Sequence, residues 1–396
     1  MPEKVRVAQV LPRVAVVAVT RFALAVFLSL TCLSVSQVQA AVLPEDRADA
    51  LYHSYDGGGV EISGPSILIR KSIGDSFSAS VNQYTDNVTS ASIDVLVSAS
   101  KYTEKRDENS IGLDYLRNKT TMSLNLTNSV ESDFDAETVS LSISQDMFGD
   151  LTTVTMGFSK GDNVVGRNGD DTFSEKADSR SYRLSMSQIL TKNLIMSLAL
   201  ESITDEGFLN NPYRSVRFFD VNTPTQFSFQ PEVYPGTRTS TAVALRGRYF
   251  LEHRAAINAG VRQFSDSWGI DATSFELGYT WPYRENWILE TSVRYYTQDR
   301  ADFYNDLFPF QNAQNFLARD KELSTFTSLT LGFGLSYELD SSGWAFFKRG
   351  SLNFNLDHIQ FDYDDFRDLT KSGSVGEEPF YSFDANVIRA FASVWF

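Results

Sequence analysis

The sequence predicts an all-β chain: a transmembrane antiparallel up-and-down β-barrel of about 16 strands over residues 41–396, with 14 as the rival count. Three observations predict it. Segments of period-two alternation recur along the chain, many of them long enough to cross a bilayer as tilted strands. The joints between them alternate short and long. The chain finishes on "NVIRAFASVWF", an alternating run with Phe396 last. Ile388, Ala390, Ala392, Val394 and Phe396 then share one strand face, which needs an apolar partner. In a barrel that partner is lipid.

Taken in order, residues 1–40 read as a signal peptide. Lys4, Arg6, Arg13 and Arg21 supply positive charge, "FALAVFLSLTCL" is the apolar run, and Ala40 and Ala41 offer a cleavage site. A lipid anchor at Cys32 is the competing reading, but Ser29-Leu30-Thr31 lacks the small residues expected before it. Export followed by a barrel implies the bacterial outer membrane, its lipids, and the barrel-assembly machinery as partner.

Alternating strands follow. "TTMSLNLTNS" sets Met122, Leu124 and Leu126 against Ser123, Asn125 and Thr127. "ETVSLSISQD" sets Val139, Leu141 and Ile143 against serines. "NLIMSLALES", "STFTSLTLGFGLSYEL" and "GSLNFNLD" repeat the pattern. One face is apolar throughout, and the other is Ser, Thr, Asn, Gly and some charge. A soluble sandwich also alternates, but with shorter strands and more even loops. The tight joints are "LRNKTT", "DMFGDL", "LTKN", "LEHR" and "PYREN", with "LDSSGWAFFKRG" closing a sixth hairpin. The long joints include 161–179, 204–237 and 298–321, and 85–108 leaves room for an extra strand. Near the N-terminus, Gly64 and Pro65 interrupt "VEISGPSILIRK", which leaves its neighbour, the N-terminal strand "DALYHSYD", the weakest of the set. Tyr249, Phe250, Trp281, Tyr283, Trp287, Trp344 and Phe346 lie near short joints, and Trp268, Tyr295 and Tyr296 near long ones, as two interfacial girdles would.

Composition narrows the function. Acids outnumber Lys+Arg by 50 to 35, which argues against a nucleic-acid partner. Cys32 is the only cysteine, so the predicted barrel holds no disulfide and no thiolate site. If apolar faces meet lipid, Arg183, Glu201, Arg246, Arg248, Arg262, Glu276, Glu290, Arg294 and Arg389 point into the lumen. Inward placement is expected whatever their role, because a charge facing lipid at mid-depth costs about 2–4 kcal/mol. They either pack a plugged lumen as ion pairs or form a selective constriction. The loop "ITDEGFLNNPYRSVRFFD", with Asp205, Glu206, Arg214 and Arg217, folds either inward as a plug or outward as a cap. Asp162, Asp170 and Asp171 are weak Ca²⁺ candidates without the spacing of a known loop. His53, His253 and His358 make no convincing triad, because strand neighbours face opposite ways. Phe396 reads as an assembly signal.

Several stretches resemble a family of proteobacterial outer-membrane proteins, domain of unknown function 3570. They are "LYHSYDGGGV", "SIGLDYL", "SQDMFGDLTT", "FSEKADSRSYRLSMSQILTKNL" and "ITDEGFLNNPYRSVRF". The resemblance implies an outer-membrane barrel without an assigned activity. Related genes lie near a small lipoprotein and periplasmic flavin-transfer or thioredoxin-like proteins, which implies envelope redox partners. No cofactor motif is visible, so no cofactor is expected. The sequence thus favours a channel or conduit for small hydrophilic solutes. A plugged barrel scaffolding an envelope complex is the alternative, and an outer-membrane hydrolase the third reading.

Overall fold

A computed structural model describes residues 42–90, 102–220, 226–339 and 346–396. The expected signal peptide, Cys32 and Trp344 lie outside the described residues. The strands are β1 Arg47–Gly57, β2 Val60–Ile73, β3 Phe77–Ser90, β4 Tyr102–Arg117, β5 Thr120–Val130, β6 Phe134–Met147, β7 Thr152–Val165, β8 Glu175–Thr191 and β9 Leu194–Gly207. A short pair follows, β10 Ser215–Phe219 and β11 Phe227–Pro231. The remainder are β12 Thr237–Phe250, β13 Ala256–Asp266, β14 Asp271–Tyr283, β15 Trp287–Gln298, β16 Phe326–Leu339, β17 Arg349–Arg367 and β18 Phe380–Trp395.

All except β10 and β11 join one closed antiparallel barrel, sixteen strands in sequence order. β1 closes it against β18, from Arg47 opposite Trp395 to Gly57 opposite Ala385. Closure satisfies every strand edge, which is the condition for sheet to cross a bilayer. Among the described residues no helix is long and apolar enough to cross a membrane. The strands cross instead.

Alternation decides which side chains meet lipid. Ile111, Leu141 and Leu331 are 61%, 51% and 52% exposed, while their strand neighbours face the interior. The chain is therefore an outer-membrane barrel, with its apolar surface outside and its polar residues inside. The joints at 74–76, 118–119, 148–151, 192–193, 251–255 and 284–286 lie at the end that carries both barrel termini. The long joints lie at the other.

Four sequence expectations are corrected. The joint 85–108 is mostly strand: β3 runs to Ser90 and β4 starts at Tyr102. Residues 161–179 shrink likewise to a joint at 166–174. Trp268 is no girdle residue, since it is buried in a core built by loops. Tyr296 faces inward on β15, whereas Tyr295 is exposed on the outer face. Periodicity marks strand faces but not strand ends, because the ends are set by which loops pack above them.

Gly64 and Pro65 sit inside β2 rather than breaking it. A Cβ on Gly64 would overlap the Thr85 carbonyl of β3, so only glycine fits this close approach. Around Pro65, which has no N–H, the β2–β3 pairing skips from Ser63–Asn87 to Ser66–Tyr84.

Candidate functional site

The inner wall of β12 to β15 carries a row of charge. Val243 and Leu245 are exposed on the outer face of β12, so Arg246 and Arg248 point inward. In register, Arg246 lies opposite Gly260, Gly260 opposite Glu276, and Glu276 opposite Arg294. Glu276 thus sits between two guanidinium groups and acts on both. Gly260 makes this possible: its absent Cβ would lie 3.4 Å from Arg246 Cγ, so the arginine lies flat along the wall. Toward the short-turn end, Arg248 Nε donates to Asn258 Oδ1 at 2.6 Å, and Glu290 Oε1 accepts from Thr280 at 3.3 Å.

A second group joins β8, β9 and β13. Arg183 Nε donates to Glu201 Oε1 at 2.6 Å, and Arg262 approaches the other Glu201 oxygen at 3.8 Å. Across the closing seam, Arg389 donates to Asp357 at 2.6 Å. All nine lumen candidates are therefore on inward-facing positions, and each Arg group has a carboxylate near it. Exposure divides them. The side chain of Arg183 is 59% exposed, but those of Arg389 and Asp357 are 28% and 21%.

Sequence reasoning missed the densest inner cluster. His53 on β1 stacks on Tyr84 of β3 with ring centroids 4.8 Å apart. His53 Nε2 lies 2.7 Å from Asp86 Oδ1 and 3.0 Å from the Tyr84 hydroxyl. Asp86 is fully buried, with Arg106 of β4 at 3.9 Å. Three strands, β1, β3 and β4, supply these residues, so no local motif announces them. The hydroxyl beside His53 is Tyr84's, and Ser54 points to the other strand face, so the cluster does not form a serine triad. His358 bonds Asn386 instead, and His253 lies near Tyr279.

At the long-loop end, three joints build a common core. Tyr234, Trp268, Phe303, Tyr304 and Leu323 pack together, with the inward-facing Phe264 against them. Val216, Phe218, Phe308 and Leu317 form a second cluster. Arg217 is completely buried between Asp306 and Glu378, one partner from each of two other joints. Arg214 pairs with Asp320, and Arg319 Nε donates to Asp306 Oδ1 at 3.0 Å. Burial and the nearby Asp320 carboxylate push Glu232 up to about 7. Its oxygens accept from the Arg319 backbone N–H at 2.7 Å and the Tyr234 hydroxyl at 2.6 Å.

These joints lean over the lumen. Gln298, inward on β15, donates to the backbone of Glu322 and Ser324. The Tyr304 hydroxyl of the same joint donates to the Asp365 carbonyl of β17, two strands further round the ring, at 3.1 Å. Of the four loop candidates, Arg214 and Arg217 enter this core, while Asp205 and Glu206 remain on β9, opposite Arg238 and Thr237.

The Ca²⁺ candidates are not gathered. Asp162 pairs with Lys160 at 2.7 Å on the outer face of β7, and Asp170 caps its own turn through the Thr172 backbone. Glu104, Glu131 and Asp133 do converge, with one oxygen of each within 4.8 Å of the others. The Ser132 N–H donates to Glu104 at 3.0 Å, and the Tyr213 hydroxyl donates to Asp133. At the short-turn end, Phe396 lies just past β18. Its ring sits under Lys71 Nζ at 4.9 Å, and its carbonyl accepts from Lys348 at 3.2 Å. Lys71 also bonds Asp46 at 2.5 Å and, with Ser72, holds that carboxyl down at about 2.

With this geometry in place, the comparisons can be set beside it. Residues 172–350 match DUF3570, a family described as protein of unknown function. The DUF3570 segment holds the three joints that supply Tyr234, Trp268 and Phe303, and every lumen candidate except Arg389. Two of the resembling stretches, "FSEKADSRSYRLSMSQILTKNL" and "ITDEGFLNNPYRSVRF", lie inside it, and the other three precede it. No curated protein matches the chain in sequence. In shape it is similar to a bacterial polysaccharide outer membrane secretin, with TM-score 0.48 and 7% identity over 90% of this chain and 99% of that one. It is also similar to OmpT, an outer membrane protein of Vibrio cholerae, with TM-score 0.42 and 10% identity over 90% and 100%. A FadL homologue of Pseudomonas aeruginosa gives TM-score 0.41 and 9% identity over 89% and 90%. These are likenesses of overall shape and bring no ligand to this chain.

Proposed function

We propose that this outer-membrane barrel is a conduit for small hydrophilic solutes, with a charged inner wall and an outer mouth narrowed by its own loops. The supporting observation is the water-accessible, inward charge on β8 to β15. Arg183, Glu276 and Glu290 face inward and are exposed, as residues lining an aqueous path are. Sixteen strands also enclose enough width for such a path. Arginine stays charged at every physiological pH, so the Arg246, Arg248, Arg262 and Arg294 group sets a fixed positive potential. Glu276 and Glu290 cancel part of it, which leaves weak anion preference. The test is conductance of purified protein in a planar bilayer. Replacing Arg246 and Arg294 together with Ser moves the reversal potential toward cation preference. An unchanged reversal potential in the open double variant removes these arginines from the path.

The packing of the loops over the mouth, tied through buried Arg217 to Asp306 and Glu378, favours a second reading. Here the loop core closes the mouth, and the barrel scaffolds an envelope complex with a small lipoprotein or periplasmic redox protein. Absence of conductance in the folded wild-type protein supports this reading over the first.

A further inference from the structure

The inner wall is not uniform round the ring. On β1 to β4 it carries large, mutually packed side chains: the His53–Tyr84 stack, buried Asp86, Arg106 bonded to Ser129, and Arg70 paired with Asp114. The inner face of β5 to β8 is different. Register places Ser123 opposite Ser142, Ser142 opposite Gly157, and Gly157 opposite Arg183. The neighbouring inward positions are again small: Ser140 with Ser159, and Thr155 with Ser185. Thr155 and Ser144 bond each other at 2.9 Å along this wall. Small side chains leave volume in front of them. Arg183, the large inward residue at that point, is the lumen candidate with the most exposed paired side chain, at 59%.

We infer that the solute path is off-centre, running against the hydroxyl wall of β5 to β8, and that it takes polyhydroxylated carboxylates of sugar-acid type. The inference rests on the conduit reading and adds the position and substrate class. Serine and threonine hydroxyls both donate and accept, so a wall of them exchanges bonds with solute hydroxyls as readily as with water. At the β8 edge of that wall, Arg183 and Arg262 of β13 flank one carboxylate, Glu201 of β9, which leaves net positive charge. Arg183 spends its Nε on Glu201 while its side chain stays largely exposed, and a guanidinium is a planar fork that matches a carboxylate. A neutral sugar satisfies only the hydroxyl half of this arrangement, and chloride only the charged half.

The test is cysteine accessibility in the full chain, in a Cys32→Ser background. Ser142→Cys, Ser159→Cys and Ser185→Cys should react with a negatively charged methanethiosulfonate several-fold faster than Ser80→Cys, which sits on the packed wall. Gluconate should slow that reaction, glucose and chloride should not, and Arg183→Ser should abolish the protection. Labelling is read on the protein itself, so it stands apart from conductance. Equal labelling of Ser80→Cys overturns the off-centre path. Fast labelling without gluconate protection overturns the sugar-acid assignment while leaving the conduit reading intact. Unreactive β5 to β8 cysteines in a conducting barrel overturn the path, and in a non-conducting barrel they overturn the conduit reading with it.

Discussion

Arg217 has no exposed surface, and its charge is met by Asp306 and Glu378. Removing the guanidinium takes the arginine from buried Glu378 and leaves Asp306 with Arg319, and breaking such a buried pair costs about 3–5 kcal/mol. Arg217→Ala should therefore loosen the three joints while leaving the barrel closed. Hydrogen exchange at Phe308 and Leu317 should speed up, and heat-modifiable gel migration should persist. Intact protection at Phe308 would show that the apolar cluster alone holds the loops. Glu232 adds pH dependence to the same core. An unfolded glutamate titrates near 4.5, and this one at about 7, so folding of the loops takes up a proton between those values. The contribution favours the packed loops fully below 4.5 and is lost as pH rises to about 7. Exchange at the Arg319 amide should accelerate across that window, and Glu232→Gln should flatten the dependence. A profile that is unchanged in the variant would assign the effect to another group.

At the level of elements, closure of the barrel depends on two strands that are 348 residues apart at their first paired positions, Trp395 and Arg47, by difference of those residue numbers. Phe396 anchors this seam. Its N–H donates to the Asp46 carbonyl, and its ring packs under Lys71. Deleting Phe396 should lower the folded fraction in cells, read as the heat-modifiable band. Lys71→Ala separates the two roles of the ring. If the aromatic acts only as an assembly signal, Lys71→Ala folds like wild type. If the clamp matters, it shows part of the same defect. Wild-type folding of the deletion would dismiss both.

For the whole molecule, the ring of sixteen strands puts the joints 118–119 and 192–193 at the end that carries both barrel termini. That end is periplasmic in bacterial barrels. Tags at 166–174 and within 208–214 should label on intact cells, and tags at 118–119 and 192–193 only after permeabilisation. The reverse pattern would invert the barrel in the membrane. The external joints are not loose. Their ion pairs and aromatic clusters make them a folded layer over the mouth, so deletion of 368–379 should release Arg217 and raise conductance if the barrel conducts.

The sequence alone determined the class, the strand number and the inward set of charges. All three follow from a local rule, the two-residue period of a strand, which holds wherever one face meets lipid and the other does not. Ile111 and Leu141 needed no partner to be placed outside, and Arg246 needed none to be placed inside. Only the tertiary structure decided which charges meet. Asp86 finds His53 across β2, Arg217 finds Glu378 161 positions along the chain, and Arg214 finds Asp320 of the β15–β16 joint. Those pairings depend on how the ring closes and how long joints fold over it, and neither is written in any local spacing. The same limit explains Trp268 and Tyr296. A tryptophan near a strand end has the same local pattern whether it faces the headgroups or a loop core, and the choice is made by the joints that arrive from elsewhere in the chain.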